Sequence, residues 1–280
     1  MAQVTRMGAP SVARETLIMG VLNVTPDSFS DGGKYSSAEA AVAHAREMAA
    51  EGAHIVDVGG ESSRPGAEPL DPNEEQGRVL PVIEQIAAER IPISIDTYHA
   101  DTARRALSLG AGMVNDITAL RGDPGMAEVV AEAACTCVLM HMLGTPRTMQ
   151  RAPRYNDVVD DICRFFDERI RYATKTGIRE EAIWLDPGFG FGKTPAHNLE
   201  ILRRLSEFKK FGRPILIGTS NKSTIGEVLG VAVDDRMEGT AATVAIAIAH
   251  GADAVRVHDV KRMARVAKMT DAIVRGTYSE

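Results

Sequence analysis

Between Leu17 and Thr25 the chain reads LIMGVLNVT, an almost unbroken apolar run, and from Ser37 to Gly52 it is alanine-rich with apolar positions at helical spacing. The first pattern predicts a strand buried on both faces, and the second a helix that begins near Ser36, Ser37 and Glu39 and stops at Gly52. The same alternation then recurs without a break. A strand at 54–60 precedes a helix at 72–89, which is opened by Asp71-Pro72 and an acidic first turn. Strands at 91–97 and 113–117 precede helices at 100–109 and 124–134. The run 135–142 leads through a long loop to a helix at 157–176, and the run 182–192 leads to a helix at 197–210. PILIGTS (214–220) precedes helical segments over 223–250, and AVRVHDV (254–260) precedes a last helix to about 275.

Eight strand–helix units with the longer loops after the strands predict a (β/α)8 barrel of the α/β class. An open doubly wound sheet would want a glycine fingerprint after the first strand, and none is there. No low-complexity run or Pro/Ser-rich linker divides the chain, so residues 1–16 read as an N-terminal segment and 17–280 as one barrel.

In such a barrel every strand ends on the same side, and the strand ends here carry the unusual residues. They are Asn23, the loop Glu61–Arg64, Asp96, Asn115, His141, Asp186, Lys222, and Arg256 with His258. Asp96, Asn115 and Asp186 together offer carboxylate acceptors and amide donors. That set suits a flat heterocycle with an amino group beside a ring N–H, such as a guanine or pterin edge. Arg64 follows Gly59-Gly60 and precedes Pro65, which biases it to an extended conformation, and it reads as an anion holder. Arg256 and His258 are two apart on one strand and are expected to share a face at the barrel mouth. With Lys222, Arg64 and Asn23 they suit a phosphate or pyrophosphate, whose hard oxygens draw Mg2+.

Other motifs point elsewhere. GFGFGK (188–193) lacks the phosphate-loop pattern and reads as a flexible glycine-aromatic loop in which Phe189 or Phe191 covers a ring. Met140, Met142 and Met149 read as core or pocket lining, His141 as structural, and Trp184 as packing on strand six.

Composition narrows the partners. The formal net charge of −6 argues against nucleic acid as a bulk partner. No apolar stretch approaches membrane-spanning length, and Cys135, Cys137 and Cys163 read as buried thiols, so a cytoplasmic protein without membrane partners is expected.

GVLNVTPDSFSDGG (20–33), IVDVGGESSRPGA (55–67), SIDT (94–97), NDI (115–117), LMHMLGTPRTMQ (139–150), LDPGFGFGKT (185–194) and RVHDV (256–260) together resemble the dihydropteroate synthases, a family of pterin-binding enzymes. The resemblance implies a transferase that joins 6-hydroxymethyl-7,8-dihydropterin pyrophosphate to 4-aminobenzoate, giving 7,8-dihydropteroate and pyrophosphate. It implies a pterin pocket of Asp96, Asn115, Asp186 and Lys222 walled by Ile117, Met140 and Gly218. Pyrophosphate is expected against Asn23, Ser63, Arg64, Arg256 and His258, with Asn23 contacting Mg2+. Ser63, Arg64, Pro65, Phe191, Lys222 and Ser223 would border aminobenzoate, and a homodimer is implied. Lys222, Asp96, Arg64, Arg256 and His258 are the residues this assigns to catalysis. One departure stands out: the family usually has Ser-Arg-Lys where this chain has Ser220-Asn221-Lys222, which removes a guanidinium beside the lysine. A methyltransferase of the related barrels, acting on methyltetrahydrofolate with a corrinoid partner, would share the acids and Asn115 but has no use for the cations. A binding protein without turnover is the other alternative, with Asn221 as its one clue.

Overall fold

The computed structural model describes residues 15–25, 37–61, 66 and 68–278. Eight parallel strands form one sheet in the order β6-β5-β4-β3-β2-β1-β8-β7. They are β1 (Leu17–Asn23), β2 (Ile55–Gly59), β3 (Ile93–Asp96), β4 (Met113–Asp116), β5 (Thr136–Met140), β6 (Ile183–Asp186), β7 (Leu216–Ile217) and β8 (Ala254–Val257). Sequential strands neighbour one another and β1 also pairs with β8, from Leu17 opposite Ala254 to Gly20 opposite Val257. A single bridge from Leu185 to Ile215 joins β6 to β7, so the sheet closes into a (β/α)8 barrel whose thinnest seam lies there.

Helices follow the strands as the periodicity predicts: α1 (Ser37–Glu51), α2 (Pro72–Ala88), α3 (Ala100–Ser108), α4 (Met126–Ala133), α5 (Val158–Lys175), α6 (Pro195–Arg203), α7 (Ser223–Leu229), α8 (Met237–Ala249) and α9 (Val260–Arg275). Local chemistry sets several starts. Asp71 accepts the Asn73 N–H at 2.9 Å before Pro72, and Asp157 accepts from Val159 and Asp160 at 2.9 Å. The segment expected as one helix at 197–210 is α6 followed by a 3-10 stretch, Leu205–Phe211, which Gly212 stops in the left-handed region. The far end of the chain returns to its start: Asp271 of α9 accepts the Thr16 N–H at 2.6 Å and the Thr16 hydroxyl at 2.9 Å.

The principal core lies between the sheet and the helix ring, as the two-sided burial of apolar strands requires. Inside the barrel, Met19, Ile55, Met113, Val138, Trp184, Leu216 and Ala254 meet in a smaller cluster, so Trp184 is a packing residue on β6. These are inward-facing positions contributed by seven strands. Because side chains alternate with a period of two, the residues two places further on also face inward, one layer nearer the strand ends.

Candidate active site

That next layer is polar. It contains Asp57 of β2, Asp96 of β3, Asn115 of β4, Asp186 of β6 and Arg256 of β8, with Met140 of β5 and Gly218 just past β7. Asp57 is fully buried, and its Oδ2 accepts from Arg256 Nε at 2.6 Å and from Asn115 Nδ2 at 3.0 Å. A terminal nitrogen of the same guanidinium donates to Asp96 Oδ2 at 2.7 Å. One arginine thus bridges two acids across the barrel mouth. In the sequence Asp57 reads only as part of an apolar strand. An acid at the middle of a buried strand, two residues before Gly59-Gly60, is the signal that could have found it.

Burial drives the electrostatics of this layer. It pushes the Asp96 carboxyl up to about 7, opposed by Arg256 and reinforced by Asp57, Glu75 and Asp116. Asp186 is pushed to about 6 by burial, although the Gly188 N–H at 2.7 Å and the charges of Lys222, Lys193 and Arg256 favour its anion. Burial also works against the Arg256 charge, but Asp57 and Asp96 outweigh it and hold that group above its usual range. Sequence reasoning puts Arg256 on a cationic side away from the acids, and the structure instead seats it among them. His258 lies beyond the end of β8, exposed, with Nδ1 2.9 Å from Ser220 Oγ. The two therefore stand at different depths of the mouth.

An apolar wall flanks the polar layer. Ile117, Met140, Met142, Met149 and Phe191 form their own buried cluster with Tyr98 against it. Ile117 is placed by the loop after β4. There Asp116 accepts the Thr118 and Leu120 N–H groups at 2.7 and 2.8 Å, while Ala119 and Leu120 both take left-handed backbone angles. Arg169 of α5 donates to the Ala119 carbonyl at 2.9 Å, which secures that unusual pair. Lys222 Nζ stands 4.2 Å from the centroid of the Phe191 ring, a cation–π contact that joins the wall to α7. Ser223 follows, exposed, as the first residue of α7, and Asn23 is half-buried at the end of β1. Ser63, Arg64 and Pro65 lie outside the described residues.

The loop after β6 differs from expectation. Phe189 is 1% exposed and belongs to the principal core, so only Phe191 faces the site. Nor is the loop free. Lys193 is 2% exposed, and its ammonium lies 2.9 Å from the Gly188 carbonyl, 3.0 Å from the Phe191 carbonyl, 3.3 Å from the His141 carbonyl and 2.9 Å from His141 Nδ1. Burial lowers Lys193 to about 7, with Asp186 acting in the opposite direction. Gly188 has φ +68°, and a Cβ there would sit 1.9 Å from the His141 carbonyl, so no other residue fits. His141 is buried between Phe165 and Lys193, and burial holds it well below the usual histidine range, in keeping with a structural role.

Asn221 takes a left-handed φ of +56° in the turn before Lys222. Its N–H donates to Thr240 Oγ1 at 3.2 Å and its carbonyl accepts from Arg236 at 2.8 Å, so α8 and the residue before it hold the turn. Asparagine tolerates that backbone region better than arginine, which gives the departure in this turn a conformational reason.

Acids, an amide and an apolar wall at the C-terminal mouth of a parallel barrel define the class: a family model described as "Pterin binding enzyme" matches residues 19–258. Within that class, the chain is 49% identical over 272 residues to the dihydropteroate synthase of Bacillus subtilis, covering 96% of this chain and 93% of that one. It superposes with a TM-score of 0.88 on the Clostridium difficile dihydropteroate synthase solved in the presence of pteroic acid, at 49% identity, covering 93% of this chain and 97% of that chain. The Xanthomonas albilineans dihydropteroate synthase with 4-aminobenzoic acid gives a TM-score of 0.88 at 43% identity, covering 95% and 94% of the two chains. The chain belongs to the dihydropteroate synthase family.

Proposed function

We propose that this chain condenses 6-hydroxymethyl-7,8-dihydropterin pyrophosphate with 4-aminobenzoate to give 7,8-dihydropteroate and pyrophosphate. The observation that carries the reading is the inward layer of Asp96, Asn115 and Asp186 beside the wall of Ile117 and Met140. The two carboxylates accept the N–H groups of a pterin edge, and the Asn115 amide both donates and accepts. Lys222, Phe191 and Ser223 border the second substrate, and the family resemblance assigns Ser63, Arg64 and Pro65 to the same substrate. Pyrophosphate is assigned to Asn23, Ser63, Arg64, Arg256 and His258.

In the reaction the aniline nitrogen forms a bond to the pterin methylene carbon, the C–O bond to pyrophosphate breaks, and the nitrogen gives up a proton. As the C–O bond lengthens, positive charge spreads into the ring and negative charge grows on the leaving group. Acids beside the ring and cations beside the leaving group oppose each charge where it develops. A nitrogen that has just formed a new bond is strongly acidic, so no protein base is assigned.

Among the described residues no group of three or more His, Cys, Asp and Glu side chains is arranged to hold a metal. Asn23 offers one hard oxygen at the end of β1, which fits Mg2+ that takes its remaining oxygens from pyrophosphate and water. When bound there, Mg2+ would neutralise charge on the leaving group.

Val228, Leu229, Val233, Ile246, Met269, Ile273 and Val274, on or between α7, α8 and α9, expose apolar side chains, which supports a homodimer built through these helices. The three unpaired thiols, Cys135, Cys137 and Cys163, support a cytoplasmic setting. Among the described residues no helix is long and apolar enough to cross a membrane.

Pyrophosphate release from the dihydropterin substrate, measured while 4-aminobenzoate is varied, tests the reaction. Release that rises and saturates with aminobenzoate is expected. Pterin binding without release, or release indifferent to aminobenzoate, would move the function to another acceptor or to binding alone.

A further inference from the structure

A lysine that touches neither proposed substrate is buried behind the site, and four polar atoms converge on its ammonium. Three are backbone carbonyls, from Gly188, Phe191 and His141, and the fourth is His141 Nδ1. The carbonyls come from two different loops, one entered from β5 and one from β6. The two loops are also joined by the His141 N–H, which donates to the Asp186 carbonyl at 2.9 Å, and by Gln150 Nε2 and the Tyr155 hydroxyl, which donate to the Gly190 and Gly192 carbonyls at 2.8 Å. Burying an ammonium is costly unless its donors are met, and here they are all met by groups that border the site.

The consequences run to both substrates. Gly188 donates its N–H to Asp186 Oδ1 at 2.7 Å, so the residue whose carbonyl Lys193 holds is the residue that orients the pterin carboxylate. Phe191, whose carbonyl it also holds, carries the ring beneath Lys222. The charge reaches Asp186 as well and favours its anion. We propose that Lys193 is a positioning residue for the condensation, fixing Asp186 for the pterin and Phe191 for aminobenzoate and supplying buried positive charge behind the pterin carboxylate. This rests on the reading of the site given above.

The other charged and titratable groups facing this pair are His141 at the end of β5, Arg121 in the loop after β4, Lys222 before α7, Arg256 on β8 and His197 on α6. None of them replaces the contacts of Lys193 with the Gly188 and Phe191 carbonyls. Substituting Lys193 therefore separates its two contributions. Lys193→Met removes donors and charge, whereas Lys193→Gln removes the charge and one donor but keeps two donors on a side chain one atom shorter.

The experiment measures dissociation of the dihydropterin pyrophosphate, KM for each substrate and the pH profile of kcat/KM, in the full chain and both variants, with thermal melting as a control for folding. Both variants are expected to bind the pterin about tenfold more weakly, the scale of one lost charge-assisted contact. The acid limb of kcat/KM is expected to move to higher pH in both, because a carboxylate deprived of a nearby cation holds its proton longer. KM for aminobenzoate should rise more in Lys193→Met than in Lys193→Gln, since only the latter keeps N–H donors for the loop carbonyls. Folded variants with unchanged pterin affinity and an unmoved acid limb, whatever their melting temperatures, would overturn the assignment. Recovery of both only as unfolded chain would overturn it too, by making Lys193 a requirement of folding alone. A wild type that neither binds the pterin nor turns over would remove the reading of the site itself, an outcome distinct from failure of the variants.

Discussion

Replacing Asp186 by asparagine is expected to stabilise the ligand-free protein while destroying its affinity for the pterin. Asp186 is 6% exposed, and burial holds its carboxyl at about 6 against the usual 3.8. Above about pH 6 the folded protein thus carries an anion that the unfolded chain would carry at lower free energy. At about 1.36 kcal/mol per pH unit of difference, the burden is about 3 kcal/mol. Its sign follows from the raised folded value: the burden is full above the folded pKa, shrinks as pH falls through it, and vanishes below the unfolded value. The asparagine side chain would keep an oxygen for the Gly188 N–H, now 2.7 Å from Asp186 Oδ1. Lys193 would lose a favourable charge, which works the other way. The expected net gain is about 2 kcal/mol at about pH 8 and close to zero near pH 4. Urea denaturation of both proteins at the two pH values, with the slope unchanged, measures it. A lower midpoint for the variant at the higher pH, or an equal gain at both, would refute the reasoning. Pterin affinity should fall by about 100-fold or more, because an amide offers one acceptor where two N–H groups converge.

Three further outcomes follow from the same geometry. Asp57→Ala strips Arg256 and Asn115 of a shared buried acceptor and should cost about 3 kcal/mol in chemical denaturation. In that variant the acid limb of pterin binding should also move to lower pH, because Asp57 raises Asp96 and Arg256 would turn wholly to Asp96; a loss under about 1 kcal/mol would contradict this. Asn221→Arg places a long-stemmed cation at φ +56°, so the melting temperature should fall by the equivalent of about 1 kcal/mol while KM for aminobenzoate drops. Phe191→Leu removes the ring beneath Lys222 and should raise KM for aminobenzoate by about fivefold, corresponding to about 1 kcal/mol, leaving pterin affinity unchanged in a direct binding titration.

The alternation of strands and helices and the starts of the helices are legible in the sequence because each rests on local periodicity and capping chemistry. Asp96, Asn115 and Asp186 can be placed at one mouth since parallel strands of a barrel all end on the same side. Asp57 escapes because its significance depends on Arg256, far along the chain, reaching back across the barrel. Lys193 escapes for the same reason. A lysine after three glycines reads as solvent-facing until His141, from the preceding unit, is seen to cover it. Asn221 reads as a missing charge, whereas its backbone angle shows what the turn itself demands. Residue types at strand ends are visible along the chain, but which side chains pair across the barrel emerges only when eight distant segments are brought together.

The pairing of β1 with β8 has a bearing on how the molecule is made. Residues 17–23 leave the ribosome before β2 and can pair with it as soon as Ile55–Gly59 follow, but their other edge waits for Ala254–Val257. At about 5–20 residues per second that interval lasts some tens of seconds. During it the nascent sheet offers an apolar strand with unsatisfied backbone groups to any neighbour in the cell. The clasp of Thr16 to Asp271 forms later still. A truncation before β8 therefore leaves the first strand with one open edge, and its expected product is an aggregating chain rather than a weakened enzyme.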